Sequence, residues 1–331
     1  MRTTALATIL FTFCLLVACT RSEPSYKLVQ ADSLMQKSPD SALRFLREIY
    51  PEELRTAEDK AYYALLITQA QDKNFITQTD DSLICIAVQY YDSTECIPKQ
   101  AKAYYYWGCI KRNKNNHPEA LKKADSIYQI TEKLAIQEKD SGLWIDAVSQ
   151  RSMIDIRKGK EYYHRAEEKL LHAFEISQHT AQRNMIAKAA YSLSLLYGRM
   201  NMGREAVIFA KLNIDNQDNT KVLYRGYLLL GDAYYKTAQY DSALIYLNKA
   251  LYSKDHFTKA GAYMRLADIA QKQGKLEKAL EMERKYSSHM DSAQQKQQSS
   301  EIIATEKNML IQSKQSEYKA NLNQFYYYTI T

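Results

Sequence analysis

The sequence predicts an all-α protein made of repeated helical hairpins, and three observations support this. Glycine and proline, which interrupt helices, number only 9 and 5 in 331 residues. From Lys27 onwards, apolar residues recur at steps of three and four, the spacing of one helix face, and no segment alternates long enough to predict a sheet. Pairs of small residues also recur at matching places in successive segments. These features favour long helices that cross closely.

The clearest unit is "YLLLGDAYYKTAQYDSALIYLNKAL", from Tyr227 to Leu251. Gly231 lies in its first predicted helix, and Ala243 follows 12 residues later in the second. Small residues suit these positions because larger side chains would force the two helices apart. Ala250 lies two turns beyond Ala243 on the same face, where we expect it to receive the following unit.

This unit resembles a tetratricopeptide repeat, whose pattern is W-x2-L-G-x2-Y followed by A-x3-F. The second helices are anchored at positions 42, 83, 120, 166, 206, 243 and 279, at spacings of 36 to 46, which exceed the family's period of 34. Asp255 stands where the family's closing proline would fall. The resemblance implies a right-handed solenoid of about seven such hairpins over residues 27–286. The other small residues predicted at helix crossings are Gly108, Ala120, Ala206 and Ala279.

An Asp-Ser pair comes just before three of the predicted second helices. The segments are "PDSALRFL" at Pro39–Leu46, "DDSLICIA" at Asp80–Ala87 and "YDSALIYL" at Tyr240–Leu247. Aspartate and serine oxygens accept hydrogen bonds from the open amides of a helix N-terminus. We therefore predict that these pairs cap the helices.

The first 18 residues have the pattern of a secretory leader. Arg2 supplies the positive start, and Ala5–Ala18 is an uncharged, mostly apolar run. The run closes on "LVAC", which resembles the bacterial lipobox and implies lipidation of Cys19, followed by a tether over 19–26. An ordinary secretory signal with a chance cysteine is the alternative. Thr20 favours the outer over the inner membrane by resemblance to Gram-negative lipoproteins, with the protein facing the periplasm.

Residues 287–331 differ in composition from the repeats. They are polar and rich in Gln, Ser and Lys. Apolar residues recur every seven positions and form a thin stripe, at Ala304, Ile311, Tyr318 and Phe325. This predicts an extended C-terminal helix, either a weak coiled coil that allows homo-association or a solvated helix. The uncharged end "FYYYTIT" is also compatible with the start of a membrane-proximal segment.

The sequence contains no catalytic or phosphate-binding motif, so we expect a non-enzymatic protein without a cofactor or metal. His164 and His172 lack a nearby carboxylate set and are expected to be surface residues. After loss of the leader and lipidation, three cysteines remain, for which free buried thiols are favoured over one disulfide: Cys85, Cys96 and Cys109. The net charge of +7 is spread along the chain, which argues against nucleic-acid binding.

In tetratricopeptide proteins the first helices line a concave groove, and the resemblance places a set of side chains there. These groove candidates are Tyr191, Arg199, Arg225, Leu228, Asp232, Tyr235, Lys236, Met264, Asp268 and Lys272. A basic residue recurs near the end of each first helix, at Arg112, Lys158, Arg199, Lys236 and Lys272. The bases either bind carboxylates of a partner or compensate the helix dipole.

The expected function is a cell-envelope lipoprotein scaffold that binds a protein or peptide in its concave groove. One alternative is the sensor portion of a membrane-associated signalling or transcription regulator. A nutrient-uptake accessory lipoprotein is a further alternative, although such proteins are usually longer. "ADSLMQKSPDSAL" and "DDSLI" resemble segments of lipobox-bearing repeat proteins of Bacteroides-type bacteria.

Overall fold

The structure is a computed structural model, and it describes residues 25–113, 118–180, 182–296 and 298. The described residues form helices and connecting turns, without a strand. The leader, the predicted lipidation site Cys19 and the apolar heptad positions beyond residue 300 lie outside the described residues. No helix in the described part of the chain is long and apolar enough to cross a membrane.

Helices α1 to α14 pair into successive antiparallel hairpins. The hairpins are α1 (Tyr26–Leu34) with α2 (Pro39–Arg47), α3 (Ala57–Lys73) with α4 (Ser82–Asp92), α5 (Ile97–Asn113) with α6 (Pro118–Gln137), α7 (Ser141–Lys158) with α8 (Tyr163–Gln178), α9 (Arg183–Arg199) with α10 (Gly203–Asp215), α11 (Thr220–Lys236) with α12 (Tyr240–Ala250), and α13 (His256–Lys272) with α14 (276–296). Single turns of 3-10 helix occupy Pro51–Glu53 and Lys160–Tyr162. The seven anchor positions read from the sequence all fall in second helices.

From α1 to α13, each helix packs on its neighbours in sequence, and the first helices of neighbouring hairpins also pack on one another. Among α1 to α13, the second helices of neighbouring hairpins have no comparable contact. Because the first helices are closer together, they form the inner side of the curve and the second helices form its outer side. The predicted all-α solenoid of helical hairpins is confirmed.

The small residues lie where helices approach closely. A Cβ atom added to Gly231 in α11 would lie 2.7 Å from Cγ of Leu247 in α12. A Cβ atom added to Gly108 in α5 would lie 2.7 Å from Cε1 of Tyr128, which is fully buried in α6. Alanines in the second helices also pack inward, with Ala206, Ala243, Ala250 and Ala279 buried and Ala120 half-buried.

The predicted capping role of two Asp-Ser pairs is wrong. Helix α2 begins at Pro39 and α12 at Tyr240, so each pair lies inside the first turn, and neither helix has a side-chain cap. Proline fits the first position of a helix because its φ angle is already helical. The carboxylates of Asp40 and Asp241 therefore lie in the first turn, where the helix dipole favours negative charge.

The third pair fails as a cap for another reason. Asp81 directly precedes α4, but its side chain makes no capping hydrogen bond. Its Oδ2 atom instead accepts a hydrogen bond from Nε1 of Trp107 at 2.9 Å and pairs with Nζ of Lys111 at 2.5 Å. The carboxylate therefore joins α4 to α5 and is not available to the open amides.

Helix α14 extends from residue 276 through Tyr286 to residue 296 without a break. The change in composition after Tyr286 thus falls inside a helix. Ala293, beyond that point, is only 4% exposed. The described part of the C-terminal segment therefore belongs structurally to the last hairpin.

Candidate functional site

The inner side of α11 and α13 carries a connected group of charges. Asp232 lies at its centre, with one carboxylate oxygen 2.9 Å from Nζ of Lys236 and the other 2.5 Å from Nε of Arg265. Arg265 also pairs with Asp268 at 2.8 Å and lies over the ring of Tyr235. We call these five residues the inner-face charge cluster. Their mutual contacts link α11 and α13, the first helices of the last two hairpins.

The charged side chains of this cluster remain partly accessible. Asp232 is 22% exposed, Lys236 29%, Arg265 26% and Asp268 34%. Met264, next to Arg265, is 38% exposed. The surface therefore offers both signs of charge and one flexible apolar side chain to a partner.

The recurring bases at the ends of first helices do not share one environment. Nζ of Lys236 donates a hydrogen bond to the carbonyl oxygen of Gly198 at 3.1 Å, which satisfies an acceptor at the end of α9. Lys158 lies 3.9 Å from Asp155, and Arg112 donates to the side chain of Gln150. By contrast, Arg199 and Lys272 are exposed, and neither forms an ion pair with a described residue.

The other groove candidates are placed differently. Leu228 packs between first helices, because a Cβ atom added to Gly261 in α13 would lie 2.8 Å from its Cδ2 atom. Tyr191 is half-buried, and burial raises the pKa of its hydroxyl. The structure therefore brings Asp232, Tyr235, Lys236 and Asp268 together, while Leu228 serves helix packing.

Arg225 lies at a contact between the two ends of the solenoid. Its guanidinium is 3.7 Å from the ring centre of Phe75, which belongs to the loop after α3. The same guanidinium pairs with Asp255 at 3.3 Å. The backbone of Phe75 has φ of 60°, which is uncommon for an aromatic residue. We call the contact of Phe75, Arg225 and Asp255 the seam.

Asp255 holds the seam in place from the start of α13. Its carboxylate accepts hydrogen bonds from the backbone amides of Phe257 and Thr258 and from the Thr258 hydroxyl, the last at 2.6 Å. Burial would raise the pKa of Asp255, but the hydrogen bonds from Thr258 and the charge of Arg225 outweigh burial and lower it. Asp255 therefore stays ionised, caps α13 and pairs with Arg225.

A cavity of about 530 Å³ lies beside the seam. One wall comes from the first two hairpins, including Leu43, Arg44 and Ile76. The opposite wall comes from the last two hairpins, including Tyr224 and Phe257. Two ends of the chain that are distant in sequence thus enclose one space.

Asp72 and Lys73, at the end of α3, are adjacent half-buried residues of opposite charge. Burial raises the pKa of Asp72 and lowers the pKa of Lys73, the next residue. Nζ of Lys188 pairs with Asp146 at 2.7 Å close by. Both pKa shifts favour the neutral form, as expected for charged groups removed from water.

The remaining candidates for chemistry are three cysteines and two histidines. Cys85, Cys96 and Cys109 are free thiols as expected, but of the three only Cys109 is buried, and Cys85 and Cys96 are half-buried. Burial raises the pKa of Cys109 to about 12. His164 is exposed, and His172 contacts the ring of Trp144. Among the described residues, no group of three or more histidine, cysteine or acidic side chains is placed to hold a metal ion.

No protein-family model matches the chain, and no curated protein matches it. Among solved structures, the chain is similar to BtubC from P. vanneervenii, with 14% identity over 68% of this chain and 88% of that chain and a TM-score of 0.46. It is also similar to the apo form of RapI, with 16% identity over 81% of this chain and 98% of that chain and a TM-score of 0.31. Similarity at this level says nothing about partners.

Sequence reasoning missed Arg265 and Phe75. Arg265 could have been found, because it stands three residues before Asp268 and so faces it on a helix. Phe75 gave only a weak signal, an aromatic residue in a polar stretch after a helix. The repeat pattern singles out Asp255 by its position but contains no sign of its pairing with Arg225.

Proposed function

We propose that this protein is a non-enzymatic scaffold of the tetratricopeptide type that binds a protein or peptide on its inner surface. The observation that carries the proposal is the partly exposed inner-face charge cluster beside Met264. Its paired charges are already held in place, so a partner would lose little side-chain entropy on binding. Arg199 and Lys272 extend this surface with charges that described residues leave unpaired.

The tetratricopeptide assignment is supported by the close approaches at Gly108 and Gly231. Both glycines stand at the Leu-Gly or Trp-Gly position of the repeat pattern, and both face the second helix of their own hairpin. Within the proposal, the protein is held at the cell envelope by a lipid on Cys19, which follows "LVA" at the end of the leader-like segment.

The binding proposal is tested with the full chain and a partner captured from envelope extracts of the source cells. We expect Arg199→Gln/Lys272→Gln to fold normally and to bind the partner more weakly, chiefly through slower association at low salt. The difference in affinity between wild type and variant should shrink as the ionic strength rises, because the Debye screening length falls to about 8 Å at physiological salt. Unchanged affinity at low salt would contradict a role for these bases.

The anchoring proposal is tested by labelling cells with radioactive palmitate. We expect the wild type to incorporate label and to sediment with membranes. The Cys19→Ala variant should lose both properties while keeping the same helix content by circular dichroism. Equal labelling of the two proteins would remove lipid anchoring from the proposal and leave the binding surface unaffected.

A further inference from the structure

The cavity beside the seam has the size of a ligand-binding site. Its volume of about 530 Å³ falls within the range of about 300–1,000 Å³ that is usual for such sites. Its walls come from the first two and the last two hairpins. Any molecule bound there would contact both ends of the solenoid at once.

Four aromatic side chains line this cavity. Phe75, Tyr224, Tyr252 and Phe257 line it, together with aliphatic side chains. Tyr252 is 78% exposed and Phe257 38% exposed, so their rings are accessible at its edge. Aromatic rings offer a large, rigid contact area for an apolar side chain.

Charge at the cavity favours an acidic partner. Four cationic side chains line it against two carboxylates. Arg44 and Lys254 lie on opposite walls, and Lys254 is exposed. The electrostatic potential at the cavity is therefore positive, and it complements a negatively charged partner.

We propose that the seam cavity binds an acidic peptide segment that carries an aromatic side chain. The ring enters the aromatic cavity, and the carboxylates of the segment face Arg44 and Lys254. This inference rests on the proposed function as a binding scaffold, but it uses a surface separate from the inner-face charge cluster. Because a bound segment touches both ends of the solenoid, it also stabilises the closed seam.

The test uses fluorescein-labelled peptides of defined sequence and the full chain, with binding followed by fluorescence anisotropy. The probe is Asp-Glu-Phe-Glu-Asp, and the controls are Asp-Glu-Ser-Glu-Asp and Lys-Lys-Phe-Lys-Lys. We expect the probe to bind at least about tenfold more tightly than either control, because each control lacks the ring or the negative charge. Failure of the acidic aromatic probe to bind would overturn the proposal.

Variants assign the binding to the cavity. Arg44→Glu/Lys254→Glu should weaken probe binding by about tenfold or more, and Phe257→Ala should weaken it without a change of charge. The matched control is Lys122→Glu/Lys133→Glu, which makes the same change in net charge at exposed positions of α6. The affinity of the control variant for the probe should stay within about twofold of wild type, because a change in net charge far from the cavity has only a small effect. Equal loss in both double variants would show that binding is only non-specific attraction to a basic protein, and would overturn the proposal.

A third variant separates this inference from the proposed function. Arg199→Gln/Lys272→Gln changes the inner surface and should leave probe binding unchanged. If it abolishes probe binding while Arg44→Glu/Lys254→Glu does not, the peptide binds the inner surface, and the seam proposal is wrong although the scaffold function stands. If the probe binds at the seam but no envelope partner depends on the inner surface, the proposed function fails and the seam site stands.

Discussion

Gly231 is a residue at which a side chain does not fit. A Cβ atom there would lie 2.7 Å from Cγ of Leu247, which is fully buried. We expect Gly231→Ala to lower the free energy of unfolding by about 1–3 kcal/mol through overpacking, offset by about 1 kcal/mol of gained helix propensity. Denaturant unfolding of the full chain measures the net change.

Gly142 provides the matched control for this substitution. A Cβ atom at Gly142 would lie 3.0 Å from the terminal methyl of Met185 and 3.4 Å from Oδ1 of Asp140. The second distance is ordinary van der Waals contact, and a flexible methionine moves aside at little cost. Gly142→Ala is therefore expected to leave stability unchanged or to raise it by up to about 1 kcal/mol. Equal destabilisation by the two substitutions would contradict the close helix crossing at Gly231.

Replacing two aspartates, Asp72 and Asp255, by asparagine should change the stability at neutral pH in opposite directions. Burial raises the pKa of Asp72, so its ionised form destabilises the fold at neutral pH. We expect Asp72→Asn to raise the melting temperature at pH 7. This gain should fade as the pH falls through the raised pKa, because Asp72 then becomes neutral in the wild type.

Asp255 is the opposite case. Although burial opposes ionisation, Thr258 and Arg225 hold its pKa below the ordinary value. Asp255→Asn keeps a residue that caps helices well but loses the ionic contact with Arg225. The variant should melt lower at pH 7, and the loss should fade as the pH falls below the ordinary aspartate range and through the lowered pKa. Melting temperatures measured from pH 2 to 7 test both variants. Differences from wild type that changed in the same direction for both variants as the pH fell would contradict these assignments.

At the scale of the helix, Lys236 contacts the end of a neighbouring helix while Lys272 does not. Lys236 donates to the carbonyl of Gly198 and pairs with Asp232. Lys236→Gln should therefore lower stability by about 1 kcal/mol. Lys272→Gln, at an exposed position of α13, should change it by less than about 0.5 kcal/mol. Thermal melts that give equal losses would mean that both bases act only on their own helix dipoles.

The hairpins could be predicted from the sequence because packing constrains small residues at regular positions. Ala166, Ala206 and Ala243 are fully or almost fully buried in their second helices, so their positions leave a periodic signal. The helix starts were less predictable, since the Asp-Ser pairs fit a cap and a first turn equally well. At Asp81 a distant tryptophan, Trp107, decides the outcome, and a local pattern contains no information about such a partner.

At the scale of the whole molecule, the meeting of the two ends could not be predicted. Phe75 and Arg225 are 150 positions apart. Their contact depends on the curvature that accumulates from every hairpin between them, and small changes in each helix crossing would separate the ends. The inner surface followed from the repeat pattern, but the seam and its cavity required the three-dimensional arrangement.

The seam makes a prediction about the shape of the molecule. Phe75→Asn removes the ring that stacks on Arg225, while asparagine tolerates the positive φ at this position better than most residues. Arg225→Lys keeps a positive charge for Asp255 but loses the planar group that stacks on the ring. If the stacked contact holds the ends together, both variants should retain the helix content of wild type and show a larger radius of gyration by small-angle X-ray scattering.

A control and a second readout make this prediction specific. Lys133→Gln, at an exposed site on α6, should leave the radius of gyration unchanged. The Asp-Glu-Phe-Glu-Asp peptide should bind both seam variants more weakly, because the two walls of its cavity would no longer be held together. A solenoid whose ends stay together without the stack would instead show wild-type scattering in both variants. In that case the curvature of the hairpins closes the molecule unaided, and the Phe75–Arg225 contact is its consequence.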